Sequence, residues 1–117
     1  MFWQVVDKPG VPGNYLETSG TALIAYAVLK GVRLGYLPKK YEKIGLDAFY
    51  GIVEKYLVID DDGKLGLDGI CLVAGLGGPS KRDGSMEYYF SEPVVKNEAK
   101  GVAPFLLAYT EILRRRD

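Results

Sequence analysis

The residues of this chain whose types and spacing could do chemistry are carboxylates and a glycine-rich run. Asp60-Asp61-Asp62-Gly63 gathers three carboxylates ahead of a glycine. A calcium loop of the Asp-x-Asp-x-Asp-Gly kind also needs a distant glutamate, and this spacing does not match it. The run reads instead as a turn, since Asp and Gly both favour turn backbones. Ala74 to Ser85 holds four glycines, Gly75, Gly77, Gly78 and Gly84, and carries Lys81, Arg82 and Asp83. A phosphate loop ends in Gly-Lys-Ser/Thr, whereas here Ser80 precedes Lys81 and Arg82 follows it. Pro79 also removes an amide that an anion nest would use. The run therefore reads as a backbone-rich loop packed close to a pocket.

The absences are as informative. The chain has no histidine and a single cysteine, Cys71. A Ser-His-Asp triad, a Cys-His pair and a histidine metal site are all beyond it. One cysteine forms no internal disulfide, which fits a reducing compartment, and the expected localisation is cytoplasmic. Cys71 lies in the apolar run Ile70-Cys71-Leu72-Val73 and reads as a small buried hydrophobe. Formal net charge is +0, which argues against nucleic acid as a partner. The basic run Arg114-Arg115-Arg116 more simply complements the negative end of a helix. No apolar stretch reaches the ~18 residues of a membrane span, and Met1-Phe2-Trp3-Gln4 does not resemble a signal peptide.

The elements that must position these residues follow from periodicity. Phe2 to Val6 is an apolar start, and two Pro-Gly signals between Asp7 and Gly13 mark an irregular loop. Glu17 to Arg33 predicts a helix, with Thr18 and Ser19 as capping hydroxyls and Gly35 as its left-handed stop. Its middle, Ala22 to Leu29, is apolar all round, as in a helix surrounded by protein. Pro38 opens a second helix whose apolar face is Tyr41, Ile44, Ala48, Ile52 and Tyr56. A buried helix followed by an amphipathic one is the pattern of a hairpin in a layered α/α assembly. Leu65-Gly66-Leu67 and Ile70 to Val73 read as a β-hairpin about Asp68-Gly69. Ser85 caps a short helix through Phe90, stopped at Glu92-Pro93. Gly101 to Arg116 predicts the last helix, with Val102, Phe105, Leu106, Tyr109, Ile112 and Leu113 buried and Pro104 in its first turn.

Several of these segments together carry a resemblance. Gly13-Asn14-Tyr15-Leu16-Glu17-Thr18-Ser19-Gly20-Thr21-Ala22 heads the buried helix, and Lys30-Gly31-Val32-Arg33-Leu34-Gly35-Tyr36-Leu37-Pro38 ends it. Val73 to Gly78 precedes Arg82-Asp83-Gly84-Ser85-Met86-Glu87-Tyr88-Tyr89-Phe90-Ser91-Glu92-Pro93, and Lys100 to Ala108 opens the last helix. In this order they resemble the C-terminal portion of the unsaturated rhamnogalacturonyl hydrolases, glycoside hydrolase family 105. They are more distantly similar to the unsaturated glucuronyl hydrolases of family 88.

The resemblance implies an all-α fold: part of an (α/α) six-hairpin toroid, with one small β-hairpin. Residues 1–117 are then a single C-terminal segment of that barrel, with its upstream helices missing. Members remove an unsaturated uronic acid from the end of pectin-derived oligosaccharides, without metal or organic cofactor. An aspartic acid protonates the double bond, water adds to the neighbouring carbon, and the hemiketal opens. The resemblance places that aspartic acid upstream of the matched region, so no catalytic residue is carried over. It places the glycine-rich stretch at the barrel mouth. There Arg82 would pair with a substrate carboxylate, Asp83 would accept hydroxyl hydrogen bonds, and Tyr88 or Tyr89 would stack on a sugar. The competing reading makes Arg82 and Asp83 a local pair and the tyrosines core, and Asn14, Tyr15 and Glu17 divide in the same way. The expected partners are an unsaturated uronyl oligosaccharide, met through the parent barrel, and further copies of the chain, which would cover the apolar inner helix.

Overall fold

The computed structural model describes residues 1–80 and 82–115. Helix α1 spans Thr18–Arg33, a 3-10 turn covers Lys39–Tyr41, and α2 spans Glu42–Tyr56. Strands β1 (Leu57–Ile59), β2 (Leu65–Leu67) and β3 (Ile70–Cys71) follow, then α3 (Met86–Ser91), β4 (Val94–Val95) and α4 (Ala99–Arg114). Lys81 of the glycine-rich run and Arg116 of the basic run lie outside the described residues. Among the described residues no helix is long and apolar enough to cross a membrane.

Helix α1 is the pillar on which α2 and α4 both pack. Ala25 and Leu29 of α1 share one core cluster with Ala48 and Phe49 of α2 and Ala108 and Ile112 of α4. A second cluster joins Ala22 and Ile52 to Leu67 and Ile70 of the strands. Alanines at the helix crossings let the backbones approach, and fully buried Ile52 and Ile70 each contribute roughly 1.5–3 kcal/mol relative to exposure. The core, however, covers only part of α1: Leu23 is 54% exposed, although its helix reads as apolar on every side.

The ends of α1 differ in how well the sequence foretold them. Its stop is as expected: Gly35 has φ +77°, Tyr36 N–H donates to Gly31 O and Gly35 N–H to Val32 O, the paired bonds of a Schellman motif. Its start is not capped by Thr18 or Ser19. The Glu17 carboxylate accepts from Ser19 N at 3.0 Å and Gly20 N at 2.6 Å. Thr18 is drawn elsewhere, its hydroxyl donating to Asp68 O at 2.6 Å and its amide to Gly69 O at 2.8 Å.

Four other expectations are corrected. Pro38 precedes the 3-10 turn rather than standing inside α2. The buried residues of α2 are Gly45, Ala48, Phe49 and Ile52, while Ile44 is 45% exposed. Gly45 is there because a Cβ would stand 2.8 Å from Leu29 Cγ. On α4 the buried residues are Gly101, Pro104, Ala108, Glu111 and Ile112. Its larger side chains Leu106, Tyr109 and Leu113 are exposed, because small residues at three-to-four spacing allow the closer contact with α1. Helix α4 also starts at Ala99, with the Glu98 carboxylate as its cap, so Pro104 stands beyond the first turn.

The small hairpin is present with different strands. β1 pairs antiparallel with β2, Leu57 opposite Leu67 and Ile59 opposite Leu65, so Asp60 to Gly63 is the hairpin turn. β3 pairs instead with β4, Ile70 opposite Val95. Asp68-Gly69 redirects the chain between the two ribbons, with Gly69 at φ +74° against the Tyr56 ring.

Candidate functional site

The head of α1, strand β3 and helix α3 share one end of the molecule. Glu17, 5% exposed, caps α1 and also accepts the Cys71 amide at 2.9 Å, fixing β3 to the helix start. Cys71 Sγ receives Gln4 Nε2 at 3.4 Å. Gly13 brings the neighbouring loop onto α3, since a Cβ on it would lie 2.9 Å from Phe90 Cδ2.

Asn14 and Glu17 do structural work in this chain. Asn14 Oδ1 accepts from Val5 N and Tyr15 N, and its Nδ2 donates to Val5 O and Lys8 O, stitching the irregular loop. Tyr15 holds its hydroxyl buried without a hydrogen-bond partner. Burial, followed by the neighbouring Cys71, pushes that phenol's pKa up.

From β3 the chain runs into the glycine-rich loop, whose node is Gly75. Its carbonyl accepts the Tyr88 hydroxyl at 2.5 Å. The Arg82 guanidinium passes across its bare Cα, Nη1 lying 3.3 Å from where a Cβ would stand. Arg82 is half-buried and its carbonyl accepts Gly77 N at 2.9 Å. The loop thus brings Arg82 and Tyr88 together on one residue. Asp83 does not turn its Oδ1 to Arg82; that oxygen accepts Ser85 N at 2.9 Å. Ser85 Oγ in turn accepts Tyr88 N at 3.1 Å, so Asp83 and Ser85 together start α3.

Tyr88 is 7% exposed, which makes it part of the packed wall rather than a free stacking platform. Tyr89 is half-buried, its ring 5.2 Å from that of Tyr88 and tilted by 55°. Beside them lies an open basin of about 470 Å³, lined by Ser80, Asp83, Ser85, Glu87, Tyr88 and Ser91, with Glu92 at its edge. Glu87 and Ser91 were not singled out from sequence. Their four-residue spacing on a helix capped by Ser85 places both on the same side.

The electrostatics of this end follow from its hydrogen bonds and burial. The Ser85 amide holds the Asp83 carboxyl below its ordinary range, so it stays ionised as an acceptor. Burial, then Glu92, raises the Tyr88 phenol. Each carboxyl with a displaced pKa among the described residues (Glu42, Asp62, Asp83, Glu98 and Glu111) is displaced downward.

Comparison with known proteins places this arrangement. The profile of Glycosyl Hydrolase Family 88 matches residues 1–116. Protein Atu3128 of Agrobacterium fabrum is 44% identical over 119 aligned positions, covering 97% of this chain and 51% of that protein. The 24.9 kDa protein in the picA locus of Rhizobium radiobacter aligns with the same identity and coverage. This chain therefore spans about half the length of these curated relatives. Among solved structures, a family 105 glycoside hydrolase of C. acetobutylicum superimposes with a TM-score of 0.91 at 50% identity, covering 97% of this chain and 31% of that one. A possible family 105 member from Salmonella enterica superimposes with a TM-score of 0.78 at 29% identity, covering 100% of this chain and 27% of that one. The four helices and their small ribbons are thus a section of the α/α toroid of those enzymes, and the chain belongs to glycosyl hydrolase family 88.

Proposed function

We propose that this chain forms one wall of an enzyme that removes unsaturated galacturonyl or glucuronyl residues from pectin-derived oligosaccharides. The chain binds substrate at its end of the barrel and does not turn it over alone. The observation that carries this reading is the glycine-rich loop itself, which sets the Arg82 guanidinium against Gly75 and places the next residue, the ionised Asp83, on the lining of an open polar basin. Arg82 supplies the cation that pairs with the uronate, Asp83 accepts sugar hydroxyls, and Tyr89 offers the more accessible ring. Tyr88 supports Arg82 from below through Gly75. In the reaction, an acid elsewhere in the barrel gives a proton to one carbon of the double bond. Water adds its hydroxyl to the other carbon, and the resulting hemiketal opens to release the sugar. No metal or organic cofactor enters this scheme. The buried, free Cys71 suits a reducing compartment, the cytoplasm.

The test is a chimera in which this chain replaces the segment it matches in the C. acetobutylicum protein. The chimera should consume unsaturated rhamnogalacturonan disaccharide, read as loss of double-bond absorbance. Arg82→Ala in it should raise KM more than it lowers kcat. A soluble, folded chimera without turnover of any unsaturated uronyl substrate overturns the activity. Turnover by this chain alone overturns its dependence on the rest of the barrel.

A further inference from the structure

The last turns of α1 and α4 lie side by side, at the opposite end of α1 from Glu17 and roughly 24 Å from it at 1.5 Å per residue. A pocket of about 330 Å³ opens there, against the start of α2. Leu29 and Val32 supply its apolar lining. Every other residue that lines it is charged: Arg33, Lys39, Arg114 and Arg115 face Glu42 and Glu111. The function proposed above uses none of them.

The two carboxylates are already served. Both oxygens of Glu111 accept from Arg33. Glu42 Oε1 accepts from Lys39 Nζ at 2.8 Å and from Arg115 Nε at 3.0 Å. Both carboxyls are held below their ordinary range, Glu111 first by the Arg33 bonds and Glu42 first by the Arg115 bond, so each carries a full negative charge at neutral pH. Against four cations they leave an excess of two positive charges. Arg33 commits Nε and Nη2, and Arg115 commits Nε. Nη1 of Arg33 and both Nη atoms of Arg115 therefore keep donors to spare among the described residues. Arg114 forms no ion pair there, yet it stands near enough to Glu111 to help hold that carboxyl down. The spare cations are not needed to close the helix ends. The last carbonyls of α1 are taken up by the amides of Leu34, Gly35 and Tyr36, and at the end of α4 the Arg115 amide donates to Ile112 O and Leu113 O.

We infer that this pocket binds a phosphate dianion, either free or carried as the monoester of a small molecule. Charge selects it: a dianion cancels the excess of two, whereas a single carboxylate cancels half. Donor shape agrees, because guanidinium forks bind phosphate oxygens in pairs. Size limits the rest of the ligand. A volume of about 330 Å³ is at the lower end for small-molecule pockets, with room for a phosphate and a short carbon body laid on Leu29 and Val32, not for an oligosaccharide.

The test needs no turnover, so it stands apart from the activity proposed above. The amide signals of the isotope-labelled chain are followed by NMR while inorganic phosphate or glycerol 3-phosphate is added at pH 8, where a phosphate monoester is a dianion. Ionic strength is held constant with sodium chloride. Signals of the last turns of α1 and α4 and of Glu42 should move and saturate. Arg114→Gln should weaken binding about tenfold, as for one lost charge-assisted contact, and Arg114→Lys should fall between. Lys64→Gln, at an exposed lysine of the β1–β2 hairpin, should bind as the parent does. Tighter binding of glycerol 3-phosphate identifies the monoester as the ligand, and equal binding identifies the free ion; the site holds in both cases. The inference is overturned if the shifts grow without saturating, if chloride alone reproduces them, or if they fall elsewhere on the chain. It is equally overturned if Arg114→Gln, with its other signals unmoved, binds as well as the parent.

Discussion

Glu111 sits inside the helical core, 3% exposed, and is tolerated there because Arg33 meets it with two hydrogen bonds, Nε at 2.6 Å and Nη2 at 2.9 Å. That bidentate fork ties the last turn of α1 to the last turn of α4, and it holds the Glu111 carboxyl below its ordinary range. A carboxyl depressed on folding contributes stability above its unfolded pKa and loses it as pH falls through the folded value, while Arg33 stays charged throughout. Urea midpoints taken from neutral pH into the acid range should therefore fall on the acid side. Glu111→Gln should flatten that limb and lower the neutral midpoint; an unchanged acid limb in the variant would assign the acid sensitivity elsewhere. Arg33→Ala should be worse than Glu111→Ala, since it leaves a carboxylate buried and unpaired, whereas Arg33 without Glu111 can turn to solvent. The sequence alone did not disclose this pair. Glu111 occupies a helical position between Tyr109 and Ile112 where a solvated charge would look the same, and its partner lies 78 residues earlier.

At the scale of elements, close approach decides what periodicity leaves open. Helix α4 was legible as a helix, but its buried side was not, because large apolar residues at regular spacing outweigh glycine and alanine in any hydrophobic count. Gly101 shows what the count misses: a Cβ there would stand 2.5 Å from Ile70 Cδ1. Gly101→Ala should cost roughly 1–3 kcal/mol as overpacking, measurable as a lower denaturant midpoint, and Ile70→Val in the same chain should recover part of it. The strand partners were hidden for another reason. Ile70 and Val95 are close in space and distant in sequence, and such short strands carry no alternation by which to match them. The cap of α1 was missed because hydroxyls are the usual expectation, whereas here the longer Glu17 side chain reaches both the helix amides and β3. Glu17→Ala should therefore exceed the ~1 kcal/mol typical of a lost cap, since the buried Cys71 amide loses its acceptor too. A loss no larger than that would mean Cys71 finds another partner.

For the whole molecule, the stop of α1, the cap of α3 and the loop joining Arg82 to the short helix were all readable, because each is encoded within a few consecutive residues. How Arg82 and Tyr88 converge on Gly75 was not, since it depends on the path of a glycine-rich loop that no periodicity describes. The same limit applies to the outer surface. An α1 that reads as apolar all round is covered on two sides by α2 and α4, leaving Leu23 at 54% exposure, and Leu106 at 54% borders an open apolar groove between α2 and α4. Without a partner polypeptide these faces are in contact with water, and their removal from it drives association at about 25 cal/mol per Å² of apolar surface, less the ordering cost. Leu23 and Leu106 offer a second copy only separate apolar faces, so association of copies should be weak and rise with concentration rather than give one tight closed species. Sedimentation across a concentration series should show the mean mass climbing above that of a monomer, and Leu23→Lys combined with Leu106→Lys should hold it at the monomer with helix content unchanged. A monodisperse monomer for the parent chain at the top of the series would mean that these apolar faces are too small or too poorly shaped to associate. A stable dimer unaffected by both substitutions would place the contact on a different surface.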